Sequence, residues 1–134
     1  MIFLDQVVQL LEWCKLKLLL LDKQSKVAFK EGEIWWCKIG MNVGVEIYGK
    51  GVFFSRPIVV LRKLNKDFFI GVPLTSKLKE GNWFAPVIYG GKEGRAVLSQ
   101  VRALDSKRLI SRIGVLSDIH FSHIKKAFHD LLCE

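Results

Sequence analysis

The chain has 134 residues, half of them apolar and a quarter charged. That suits one domain with its own core and is too apolar for a chain that stays disordered. No run free of charged residues comes near the roughly 18 needed for a membrane span, so no bilayer crossing is expected. Twenty-one Lys and Arg against thirteen Asp and Glu give a net charge of +8. The excess sits in one place: residues 56–112 hold twelve basic and four acidic side chains, while both ends are close to neutral. Localised basicity marks either a polyanion-binding face or a merely soluble basic surface.

Residues 2–22 are expected to form an amphipathic helix. Leu4, Val7, Leu11, Cys14, Leu18 and Leu21 recur at alternating steps of three and four, with Asp5, Gln9, Glu12, Lys15 and Asp22 on the other side. The apolar stripe is assigned to core packing, against the domain or a second subunit. Acidic residues before the leucine run, and no small-residue cleavage site after it, argue against a signal peptide. A polar linker, residues 22–31, follows, so the chain divides into 1–30 (helix and linker) and 31–134.

Beyond the linker the pattern turns to strands. Glu33 to Ile39 is the first, and its adjacent Trp35 and Trp36 must face opposite sides. Gly40, Gly44, Gly49 and Gly51 then mark residues 40–55 as a long loop, a feature uncommon unless functional. Strands are expected at Ile58–Leu64, Phe68–Leu74, Trp83–Tyr89, Arg95–Leu104 and Leu109–Leu116. A regular 95–104 strand puts Gln100 and Arg102 on one face and Ser99 on the other, unless a bulge intervenes. The last helix begins after Ser117 as N-cap, with Phe121, Ile124, Phe128 and Leu131 as its apolar stripe. Short strands between two helices indicate the α+β class, as a strongly bent sheet or open barrel.

Cys14, Cys37 and Cys133 show no metal-ligand spacing and fit a reducing, cytoplasmic setting. His120, His123 and His129 all lie in the last helix, with His129 turned away from the other two. Neither a metal site nor a Ser/His or Cys/His nucleophilic set is expected, and no Gly-rich nucleotide motif is present. No cofactor is therefore expected.

Four segments in order carry a family likeness: Gly32-Glu33-Ile34-Trp35-Trp36; Asn42-Val43-Gly44-Val45-Glu46 leading to Ser55-Arg56-Pro57; Val72-Pro73-Leu74-Thr75-Ser76-Lys77; and Leu98-Ser99-Gln100-Val101-Arg102. Their order and spacing over about residues 31–132 resemble the PemK/MazF-type toxins of bacterial toxin–antitoxin pairs. The resemblance implies a small SH3-like open β-barrel of the PemK/CcdB kind, a homodimer, and metal-independent cleavage of single-stranded mRNA to 2′,3′-cyclic phosphate and 5′-hydroxyl ends. It further implies an acidic antitoxin as partner, with operator DNA reached only through that antitoxin. Carried over residue by residue, Arg56, Thr75 and Gln100 are the catalytic candidates. Glu46, Lys50, Ser76, Lys77, Ser99 and Arg102 are the RNA-binding candidates. Val45 stands where the family has serine, and Ser99 where relatives often carry a carboxylate, so the general acid and base are unassigned.

The same residues make chemical sense alone. Attack by a 2′-hydroxyl on phosphorus needs a permanent cation to neutralise the phosphorane, and an arginine fork suits that role. Arg56 can equally serve a structural ion pair, Thr75 can be a turn hydroxyl, and Glu46 can act as a base or pair with Arg56. The rival reading is a non-catalytic barrel that binds RNA or poisons gyrase as CcdB-type toxins do.

Overall fold

A computed structural model describes residues 2–24 and 26–133. Met1, Ser25 within the expected linker, and the terminal Glu134 lie outside the described residues. In chain order come α1 (Ile2–Asp22), β1 (Glu33–Lys38), β2 (Ser55–Lys63), β3 (Phe68–Thr75), β4 (Phe84–Tyr89), β5 (Lys92–Val97), β6 (Arg102–Asp105), β7 (Leu109–Val115) and α2 (Asp118–Leu132). Short 3₁₀ turns occupy Leu98–Gln100 and Ser106–Arg108. Among the described residues, no helix is long and apolar enough to cross a membrane. The class is α+β: a curled, antiparallel, open barrel with a helix at either end.

The sheet runs β4-β5-β3-β2-β1-β7, with β6 beside β3. The free edge of β3 is shared: Phe68–Gly71 pair with β6, while Leu74 and Thr75 pair with β5. Stepping from β5 to β6 along one edge requires a local turn, and the Leu98–Gln100 3₁₀ turn makes that step. The expected continuous strand at 95–104 is thereby corrected to two strands and a turn. Buried Leu98 anchors it, its N–H donating to the Trp83 carbonyl at 2.7 Å.

Central strand β2 reads Ile58-Val59-Val60-Leu61 without alternation because both its faces are buried. Val59 and Leu61 join Ile34, Val72 and Leu74 under α2, which contributes Ile124 and Phe121. Ile58 and Val60 join Phe29, Trp35, Cys37 and Phe69 on the other face. Ser117 caps α2 as expected, its hydroxyl accepting the His120 N–H at 3.2 Å. Trp35 is buried and Trp36 exposed, in keeping with their opposite directions.

Helix α1 forms where the leucine periodicity puts it, but the face is reversed. Trp13 and Leu20 are buried and Leu16 half-buried, whereas Leu4, Leu11, Cys14, Leu18 and Leu21 are exposed. The Trp13 ring lies 5.7 Å from that of Phe54 and sits against Gly40, where a Cβ would collide with it. One indole against a glycine notch outweighs the regular leucine stripe, because only that side meets a complementary surface.

A buried acid ties β1 to β7. Glu33 Oε1 accepts from the Lys30 N–H (2.7 Å) and Trp35 Nε1 (3.1 Å), and Oε2 accepts from Arg112 (3.1 Å). Burial pushes this carboxyl's pKa up, but these three donors together outweigh it and leave the pKa below the ordinary 4.5. The stabilisation is thus complete above 4.5 and is lost as pH falls through the lowered value. Glu33→Gln is expected to cost about 1–2 kcal/mol at pH 7, with the gap to the parent closing below the lowered pKa, as read by urea melts across that range.

Candidate functional site

The 40–55 loop is closed at its base by a few backbone bonds. The Phe54 carbonyl accepts from both Ile39 and Gly40 N–H groups at 3.0 Å, Gly49 N–H donates to the Gly40 carbonyl, and Lys50 and Ser55 exchange two hydrogen bonds. Phe54 reaches this position with φ of 48°, unusual for a residue with a side chain. Gly49 passes so close that a Cβ there would fall on the Phe54 carbonyl.

Two residues past Phe54, Arg56 leaves this junction at the start of β2. Its Nε donates to the Tyr48 carbonyl at 2.8 Å and its Nη1 to the Leu74 carbonyl at 3.3 Å. The guanidinium is thereby held between the loop and the end of β3. Burial lowers its pKa, opposed by the nearby Tyr89 phenol, and it remains a cation at neutral pH. Burial also raises the Tyr89 pKa, with Arg56 pulling the other way.

Arg56 lines a cleft of about 320 Å³ with Lys50, Thr75, Lys77, Ser99 and Gln100. The 3₁₀ turn brings Ser99 and Gln100 to the same cleft, correcting their expected placement on opposite faces. The remaining candidates flank it. Glu46 and Arg102 line an adjoining depression shared with Ser99 and Gln100. Ser76 lies in a second one, with Arg56, Thr75, Trp36 and Tyr89.

The partners of each group define what it can do. Gln100 Oε1 accepts from the Ile47 N–H (3.2 Å) and its Nε2 donates to the Val45 carbonyl (3.1 Å). Its amide thus fastens the loop to the 3₁₀ turn. Thr75 Oγ1 accepts from the Lys77 N–H at 3.2 Å, a turn hydroxyl whose own proton remains a donor. Glu46 does not pair with Arg56; its Oε1 caps the loop by accepting from the Val43 N–H at 2.8 Å. Among the described residues, no carboxylate and no histidine line the Arg56 cleft.

Sequence reasoning passed over Lys79 and Trp83, which form the far wall. Arg95 holds that wall: its side chain donates to the Lys79 carbonyl and pairs with Glu80 and Glu93. The detectable signal was Trp83 four residues after Lys79 in the basic central segment. Arg95 and Arg112 are engaged by Glu80, Glu93 and Glu33, which leaves Lys50, Arg56, Lys77 and Lys79 to set the charge of the cleft.

These elements define a small α+β protein built on a curled antiparallel barrel, with a cleft at a loop–strand junction lined by Lys50, Arg56, Lys77 and Lys79. Residues 30–132 match the PemK-like, MazF-like toxins of type II toxin–antitoxin systems, and the chain belongs to that family. No individually curated protein matches the sequence. Among solved structures it is similar to MazF from Deinococcus radiodurans, with 17% identity over 81% of this chain and 99% of that one and a TM-score of 0.62. It is also similar to an endoribonuclease from a mycobacterial species in complex with its cognate antitoxin (14% identity, 79% and 96% covered, TM-score 0.62). A MazE–MazF complex from Deinococcus radiodurans follows (16%, 79% and 96%, TM-score 0.58). At these identities the likeness is one of fold.

The Gly49–Phe54 approach gives a test confined to the loop. Gly49→Ala is expected to speed amide exchange at Gly40, Lys50 and Ser55 roughly ten- to a hundredfold, leaving Val59 and Val72 in the core unaffected. Unchanged loop exchange would show that the junction does not depend on that approach.

Proposed function

We propose that the chain is the toxin of a toxin–antitoxin pair and an endoribonuclease that cleaves single-stranded RNA by internal transesterification. The observation that carries this reading is Arg56, fixed between two carbonyls and open to a cleft that Lys50, Lys77 and Lys79 also line. In the reaction the 2′-oxygen forms a bond to phosphorus and the bond from phosphorus to the 5′-oxygen breaks. The 2′-proton leaves and the 5′-oxygen takes one up, giving a 2′,3′-cyclic phosphate and a 5′-hydroxyl. The Arg56 fork neutralises the dianionic phosphorane, and a permanent guanidinium supplies that charge without a metal. Thr75 donates its hydroxyl proton to a phosphate oxygen at the end of β3. Lys50, Lys77 and Lys79 hold flanking phosphates, and Trp83, with over half its surface exposed, offers a face for a base to stack on. Ser99 contributes a hydroxyl, while Ser76, Glu46 and Arg102 border the path of the strand.

Gln100 acts here by positioning, since both ends of its amide are spent on the loop. The absence of a carboxylate from the cleft favours one second reading, a barrel that binds RNA without cutting it. The homodimer, the acidic antitoxin and a cytoplasmic setting belong to the proposal through the family.

Single-turnover cleavage of a labelled RNA separates the readings. Arg56→Ala is expected to lower the rate at least about 10²- to 10³-fold with circular dichroism unchanged, and Arg56→Lys not to restore it, because an ammonium cannot bridge two oxygens. Near-normal cleavage by folded Arg56→Ala would overturn the mechanism. Binding without cleavage by the parent chain would establish the second reading.

A further inference from the structure

Helix α1 precedes the family-matched region, which begins at residue 30, and it carries two apolar faces. One, Trp13, Leu16 and Leu20, is docked on the barrel. The other lies roughly 150° around the helix and follows a heptad over three repeats. Leu4, Leu11 and Leu18 occupy the a positions; Val7, Cys14 and Leu21 occupy d. The three a-position leucines and Leu21 are 57–67% exposed, Cys14 is exposed as well, and Val7 is half-buried. A heptad seam turned away from its own domain is the pattern of a helix that pairs with another helix.

We infer that α1 pairs with α1 of a second copy of this chain, parallel and in register, as a two-stranded coiled coil. The seam is self-complementary, each a and d layer meeting its own kind. In this register Lys17 at g faces Asp22 at e of the other copy, an attractive pair formed twice, and Lys15 faces Leu10 with no like charge opposed. Phe3, Val8 and Leu10 flank the seam and are themselves exposed. Covering them with it removes on the order of 700 Å² per chain, close to the roughly 800 Å² that each side of a standard interface contributes. The docked residues Trp13, Leu16 and Leu20 lie on the opposite side of the helix from the seam, while Leu21 at its C-terminal end also borders Asp105, Lys107 and Arg108. A membrane surface is the poorer occupant, because Asp5, Glu12 and Asp22 outnumber Lys15 and Lys17 along the helix.

The test uses the full chain. Replacing Leu4, Leu11 and Leu18 together by Ser alters only exposed positions, and the thermal melt of the barrel serves as the folding control. Sedimentation equilibrium is expected to show the mass of the parent species halved in the variant. In a Cys133→Ser background, mild oxidation of the otherwise unchanged chain is expected to link two chains through Cys14, and the triple substitution to abolish the link. An unchanged mass would overturn the pairing, including when the parent instead floats with anionic vesicles. A halved mass without any Cys14 link in the chain with its leucines intact would overturn the parallel register.

Discussion

The Phe54 carbonyl takes N–H groups from both Ile39 and Gly40, and this one acceptor brings the two ends of the 40–55 loop together. Much of the site follows from that closure. It sets the point at which the chain enters β2, and so where Arg56 emerges. It also places the Tyr48 carbonyl within 2.8 Å of Arg56 Nε. The positive φ of Phe54 is a cost borne at this junction, offset in part by the tilted packing of its ring against Trp13. Helix α1 therefore contacts the very residue that closes the loop, though it lies outside the region shared with the family.

Two further devices hold the cleft open on either side of Arg56. Gln100 ties the loop to the 3₁₀ turn, and Arg95 ties the 77–83 segment to β5. Both are polar side chains spent on carbonyls, an amide or carboxylates of the protein itself. The groups left facing the cleft are cations, a hydroxyl pair and an indole. Such a lining suits the binding and charge stabilisation of a phosphodiester far better than proton transfer by a carboxylate. The proposed cleavage would draw chiefly on preorganised charge, since neither Val45 nor Ser99 supplies a carboxylate for proton transfer.

Local pattern carried most of the fold. The strands at Glu33, Phe68 and Leu109, the Ser117 cap and the glycine-marked loop are all readable because each depends on neighbours in sequence. What failed depends on partners distant in sequence. The break at Leu98–Gln100 arises because β5 and β6 share one edge of β3, which no periodicity within 95–104 reveals. The docked face of α1 was missed because a single Trp against Gly40 decides it, whereas five of the six regularly spaced apolar residues are exposed and Val7 is half-buried. Glu46 looked free to meet Arg56, yet three residues away the Val43 N–H claims it. The site candidates around Arg56 were named from the family likeness and the basic segment; Lys79 and Trp83 come to the cleft only through the turn that Arg95 holds.

In the proposed reaction a 2′-hydroxyl attacks phosphorus while Arg56 supplies the charge. The most direct measurement is end analysis of a single-stranded RNA incubated with the purified chain in excess EDTA, alongside the same RNA carrying a 2′-deoxy nucleotide at the cut site. The expected result is cleavage in EDTA to 2′,3′-cyclic phosphate and 5′-hydroxyl ends, and a deoxy-substituted RNA that binds but is not cut. Loss of cleavage in EDTA, or cutting of the deoxy-substituted RNA, would contradict it.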